Sequence, residues 1–173
     1  MPTASAQALV TASADGLRAR IDGAGVAAAD WTAGSDEAAR RLRAWAERYE
    51  RAARSPDAAS ELLAIGREMA LWLDDSDWLG SWLRRPGARR LIVQSPAAEH
   101  ELGRLLHDAP WELLTGPGAA SGHLAGDALR PLAVARRLGA PENPQQPLYG
   151  DLCLLFMAAA PQGETVLDFE AEE

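Results

Sequence analysis

One thiol and three imidazoles are the side chains of this 173-residue chain best suited to nucleophilic, acid–base or metal chemistry. Cys153 lies between Leu152 and Leu154 in the apolar run DLCLLFMAAA, residues 151–160. A catalytic thiolate needs a cleft and an imidazole base within hydrogen-bond reach. In the middle of an apolar strand a cysteine behaves as a small buried hydrophobe, and that is the expectation for Cys153. His107, followed by Asp108, could form an oriented base, but the pair reads as a helix end, where histidine favours the negative pole of the dipole. His100 stands at a polar helix start and His123 in a Gly-rich loop, neither with a second ligand at metal spacing. Asp74, Asp75 and Asp77 carry part of a calcium loop without its Gly or its later bidentate Glu. GPGAASG, residues 116–122, lacks the Lys that completes a phosphate-binding loop. No catalytic, cofactor-binding or metal-ligating residue is therefore assigned.

Two aromatic groups remain. Trp111 reads as a buried anchor between helix and sheet, with Glu112 paired to Arg136 or Arg137. The competing reading gives Trp111 and Glu112 a part in shaping a cleft or an activation switch. Trp72, Trp78 and Trp82 read mainly as packing; their alternative is an exposed surface for docking a partner.

These residues need elements to hold them. Leu9 to Ala14, Asp15-Gly16 and Leu17 to Ile21 predict a β-hairpin, because Asp-Gly supplies the positive φ of a two-residue turn. Gly23, Gly25 and the alanines after them predict a loop. Ser35-Asp36 can cap a helix to about Arg54, with Ala38, Leu42, Trp45, Tyr49 and Ala52 on one face. Arg43, Glu47 and Arg51 make an i, i+4 ladder on the other face. Ser55-Pro56 restarts the chain into a second helix carrying Ala58, Leu62, Ile65, Met69 and Trp72, packed antiparallel on the first. Asp77 caps a short third helix, Trp78 to Arg85, which Pro86-Gly87 ends. Arg89 to Gln94 predicts a strand, Pro96 to His107 a helix, and residues 129–138 a strand with Pro131 bending its start. The run at 151–160 suits a strand buried on both faces of a parallel sheet.

Composition narrows the function. All 17 basic residues are Arg, against 25 acids, for a net charge of −8. That balance argues against a general nucleic-acid or anionic-membrane surface, and Arg89-Arg90 and Arg136-Arg137 are the doublets any nucleic-acid reading would use. The N-terminus lacks a basic, then apolar, leader, and no apolar run has the length of a membrane span. A cytoplasmic protein is the expectation. One cysteine cannot form an internal disulfide.

The final residues look like a beginning. Asp168 reads as a helix cap and Phe169 to Glu173 as its acid-rich first turn. A buried parallel strand followed by one turn of helix opens a βαβ unit without completing it. The expectation is therefore the front part of something longer.

Taken in order, Ala109-Pro110-Trp111-Glu112-Leu113-Leu114, then Leu129-Arg130-Pro131-Leu132, Arg136-Arg137-Leu138, Leu155-Phe156-Met157-Ala158-Ala159-Ala160-Pro161 and Leu167-Asp168-Phe169-Glu170-Ala171-Glu172 resemble the opening of CHAT domains. These are caspase-like cysteine peptidase domains of bacteria. The resemblance covers residues 89–173 and extends less specifically to the helical stretch at 55–85. It implies a helical accessory region (about 35–85) followed by the incomplete first part of a caspase-like α/β/α sandwich, after a possible N-terminal hairpin. The corresponding divisions are 1–34, 35–87 and 88–173. Trp111, Glu112, Leu155, Phe156, Asp168 and Glu170 are the motif positions. The resemblance also implies a catalytic His and a catalytic Cys downstream of the LDxExE helix, so neither maps onto this chain.

Two functions follow as expectations. The first is the N-terminal regulatory or structural portion of such a peptidase, inactive alone, whose parent hydrolyses a protein after a defence or stress signal. Its partners would be its own downstream catalytic segment, an activator or a protein substrate, with no cofactor. The second is a non-catalytic adaptor that docks a protein partner.

Overall fold

A computed structural model describes residues 7–22, 30–95, 100–118 and 122–139. Met1–Pro141 form one compact unit and Glu142–Glu173 a second, and every described residue belongs to the first. Cys153, Leu155, Phe156, Asp168, Glu170 and the expected strand at 151–160 lie outside the described residues.

Five strands form one mixed sheet: β1 (Gln7–Ser13), β2 (Gly16–Asp22), β3 (Trp31–Gly34), β4 (Arg89–Ser95) and β5 (Leu132–Leu138). Their order is β3-β2-β1-β4-β5. The β1–β2 and β2–β3 pairs are antiparallel, whereas β4 runs parallel to both β1 and β5. The helices are α1 (Ser35–Ala52), α2 (Ala58–Leu73), α3 (Trp78–Leu83) and α4 (Glu101–Asp108). The fold is therefore α/β, and β4–α4–β5 is a parallel crossover unit. Because β1 pairs with β4, the hairpin and the later α/β segment share one sheet. The boundaries expected near residues 34 and 87 do not separate independent units.

The hairpin forms, but its two-residue loop is Ala14-Asp15, with Ser13 opposite Gly16. Gly16 serves a different purpose from the expected turn. A Cβ there would stand 2.0 Å from the Ala33 carbonyl oxygen, and its φ is +139°. Glycine thus admits β3, a strand whose short length and single Trp hid it in the expected loop.

α1 buries Ala38, Leu42, Trp45 and Ala52 as its spacing predicts, while Tyr49 stays exposed. The expected ladder does not form. Arg43 reaches across to Glu101 of α4 at 2.6 Å, and Arg51 bonds the Glu47 carbonyl. α2 begins at Ala58, two residues beyond Pro56, and buries Ile65, Met69 and Trp72. Arg48 ties the antiparallel pair together through Glu61 at 2.7 Å and Glu68 at 2.6 Å. Trp72 lies edge-on to Trp31 and Trp45, with ring centroids 4.5 and 5.3 Å away. The Trp31 indole donates to the Trp72 carbonyl at 2.9 Å. At the start of α3, Asp74 rather than Asp77 accepts the Gly80 amide at 2.7 Å. Asp77 adopts a left-handed backbone (φ 56°) and turns its carboxylate to Ser81 and Arg84.

Trp72, Trp78 and Trp82 are 8%, 1% and 1% exposed, inside the core cluster. This corrects the docking-surface alternative: the Trp72 ring at the end of α2 is taken up by Trp31 and Trp45, and Trp78 and Trp82, one turn apart on α3, bury their rings side by side with centroids 6.1 Å apart.

Candidate functional site

The sequence motif that folds into a definable site is the segment following α4. Pro110 ends that helix, and Trp111–Leu113 form one 3-10 turn. The turn drives Trp111 to zero exposure, where its indole donates to the Leu106 carbonyl at 2.7 Å. The polar tip of the largest side chain is thereby satisfied inside the core. Glu112, next in the chain, points the opposite way.

Glu112 meets Arg136 of β5 in a two-pronged pair, with Nη1–Oε1 at 2.5 Å and Nη2–Oε2 at 2.9 Å. The same guanidinium donates to the His107 carbonyl at 2.8 Å and the Ala109 carbonyl at 3.1 Å. Arg136 therefore closes the end of α4 and clamps it, through Glu112, to the strand that follows. Pairing to Arg136 rather than Arg137 is decided by strand alternation: Arg136 is level with Val93 on the helix-covered face, and Arg137 with Gln94 on the other. The Arg136 guanidinium holds the Glu112 carboxyl below its usual range, outweighing partial burial, and Arg136 is raised in return. A carboxylate held ionised by a two-pronged Arg is a fastener, unsuited to carrying a proton near neutrality. An open cavity of about 330 Å³ beside the pair is lined by Tyr49, Asp108, Pro110, Glu112, Leu113 and Arg136.

A second network, which the sequence reading missed, holds the other end of β5. Asp127 accepts the amides of Leu129 at 3.0 Å and Arg130 at 3.1 Å, and takes Arg89 at 2.7 Å. Those two amides, Arg130 first, and then Arg89 keep its carboxyl below the usual range. Arg130 donates to the carbonyls of Leu83, Arg85 and Gly87, which end α3 and its turn. The signal was present in Asp127-Ala128-Leu129-Arg130-Pro131, since an Asp whose side chain bonds amides two and three residues on is turn chemistry. Between the networks, Thr115 pairs with His123 in an isolated bridge, and the Leu124 amide reaches the Leu114 carbonyl at 2.8 Å. His123 Nδ1 lies 2.6 Å from the Leu113 carbonyl, which makes it the protonated nitrogen.

The remaining candidates are not brought together. His100 precedes α4, His107 lies in its last turn, and Asp74 and Asp77 are engaged around α3. Among the described residues no group of three or more His, Cys, Asp or Glu could hold a metal ion. No described helix is long and apolar enough to cross a membrane. No protein-family model, curated protein or solved structure matches this chain.

Proposed function

We propose that this chain is the N-terminal portion of a CHAT-type, caspase-like cysteine peptidase, contributing a helical region and the first sheet elements without the Cys–His pair. The observation that carries the reading is the clamp around the Pro-Trp-Glu-Leu-Leu segment. Its Trp is buried, its Glu is bonded to the Arg-Arg-Leu strand of the same motif set, and the strands on either side are parallel. Two separate stretches of the resemblance thus meet in one corner and make one structural unit. Open α/β sheets place their chemistry beyond the carboxyl ends of the parallel strands. Among the described residues, those ends are Ser13, Ser95 and Leu138, none a thiol or an imidazole.

The alternative is a non-catalytic adaptor whose residues 35–85 dock a partner; in either reading Trp72, Trp78 and Trp82 are core residues and supply no docking surface. The test is a peptide-hydrolysis assay on residues 1–173, alone and with the Cys- and His-bearing segment encoded downstream. The expected result is no turnover alone and turnover on reconstitution. Turnover by residues 1–173 that Cys153→Ser abolishes would overturn the reading. So would a downstream segment bearing neither residue.

A further inference from the structure

β5 is held in place differently from the other strands. β1 buries Ala8, Leu9, Val10 and Ala12, and β4 buries Leu91, Ile92, Val93 and Ser95. β3 is only four residues long and stands at the opposite end of the sheet, yet Trp31 seats it in the core. Along β5, Leu132 is buried and Val134 partly so, whereas Ala133 and every residue from Ala135 to Leu138 are exposed. Polar ties take the place of burial, and they differ between the two ends of the strand.

The start is anchored. Asp127 accepts the Leu129 and Arg130 amides, and the Arg130 guanidinium donates to the carbonyls of Leu83, Arg85 and Gly87. Pro131 fixes one backbone angle, and Leu132, 6% exposed, follows it into the core. The far half is held more lightly. Past Val134 the ties among the described residues are the ladder to β4, the Arg136 guanidinium, and Gly139, which bonds the Ser95 carbonyl and the Gln94 side chain. Arg136 joins the strand to Glu112 and to the carbonyls of His107 and Ala109, so those bonds break together if the strand lifts. Bonds at half-exposed positions compete with water and hold less firmly than buried apolar contacts.

We propose that β5 is a hinged strap: residues 127–132 stay fixed while residues 134–138 lift from β4, and Arg136 is the latch. A segment with few buried apolar contacts and solvent-facing backbone bonds opens at a lower free energy than the core beside it. The register shows what lifting undoes: Val134 lies opposite Leu91, and Leu138 opposite Ser95, so the β4 edge from 91 to 95 loses its partner. An unpaired edge of that kind is a template for another strand. The device belongs to the α/β fold itself and stands whether or not the peptidase reading does.

The test is residue-resolved amide hydrogen exchange on the full chain, followed by NMR at urea concentrations below the unfolding midpoint. The β5 amides that bond to β4 should exchange at least about a hundredfold faster than those in the middle of β1. They should also depend little on urea, because a small opening exposes little surface. Ile65→Val alters a fully buried side chain of α2 that stays buried when the strap lifts. It should speed the β1 amides about three- to tenfold and leave the β5 amides unchanged. Arg136→Gln should speed β5 exchange about tenfold, and Arg137→Gln about twofold at most. Equal rates and equal urea slopes for β5 and β1 overturn the strap, as does equal acceleration of both by Ile65→Val. Equal acceleration of β5 by the two arginine variants, or none by either, overturns the latch. The urea series needs only the wild-type chain, so the strap is tested even if Arg136→Gln fails to fold.

Discussion

Two arginine doublets, Arg89-Arg90 on β4 and Arg136-Arg137 on β5, are chemically identical in sequence and divided in the fold. Arg89 is nearly buried, 13% exposed, and spends its guanidinium on Asp127 and the Arg130 carbonyl. Arg136 closes α4 and binds Glu112. Arg90 and Arg137 project from the other face into solvent. Alternation along a strand makes the assignment, since neighbours must take opposite faces. The lesson concerns charge reading: a basic doublet on a strand is one structural cation and one surface cation, so neither doublet forms a patch by itself. Arg18 and Arg20 of β2 share their parity with Arg90 and Arg137, but Asp22 lies on the same side and Arg18 is paired with Asp30.

The inner half of that division depends on the core beneath it. Trp111→Ala should remove the most stability, about 3–5 kcal/mol, the range for truncating a buried aromatic. It would also free the Leu106 carbonyl and loosen the turn that aims Glu112. Denaturant unfolding measures the effect, and a loss below about 1 kcal/mol would detach the segment from the core.

Next in size is the doublet itself. Arg136→Gln should cost about 1–3 kcal/mol, because the His107 and Ala109 carbonyls and Glu112 all lose a charged donor. Arg137→Gln, on the exposed side of the same strand, should stay within about 0.5 kcal/mol of the parent. Equal effects from the two variants would erase the comparison.

Much of this arrangement was legible from periodicity. The 3.6-residue stripes of α1 and α2 put Leu42, Trp45, Ile65 and Met69 in the core, and β-branched Arg89–Gln94 became β4 nearly to the residue. The Glu112 pair was legible too, down to a choice between two arginines that only the strand's phase could make. What escaped the reading depended on distant backbone. β3 is four residues long and is held by its pairing to β2, and the purpose of Gly16 is visible only once Ala33 lies against it. Asp74 replaced Asp77 at the start of α3 because the turn between them sends Asp77 into a left-handed backbone. Such turns are set by local sterics that hydrophobic spacing does not encode. The surface role of the three tryptophans failed for a related reason: exposure depends on which layer lies below, and spacing alone gives only a shared face.

The smallest expected effect is a pH dependence, and it separates the clamp from the other ion pairs. Glu112 has a folded pKa below its unfolded value, so its contribution is complete above the unfolded value, about 4.3. As pH falls from there through the lower folded value, the unfolded chain takes up the proton first and the contribution disappears. The pair is half-exposed, with Glu112 at 53% and Arg136 at 34%, so screening keeps the effect below about 1 kcal/mol. Other carboxylates titrate in the same window. Asp127 is lowered by the Arg130 and Leu129 amides, Asp77 by Arg84, and Glu68 by Arg48 and Trp45 against the upward push of its own burial. The wild-type acid slope is therefore a sum, and the informative quantity is its difference from Glu112→Gln. Unfolding free energies of both proteins, measured from pH 7 down to about pH 3, should converge as the pH falls below the usual glutamate range. Parallel curves, offset equally at every pH, would mean that Glu112 acts through packing and that the charge on Arg136 is met by the two carbonyls alone.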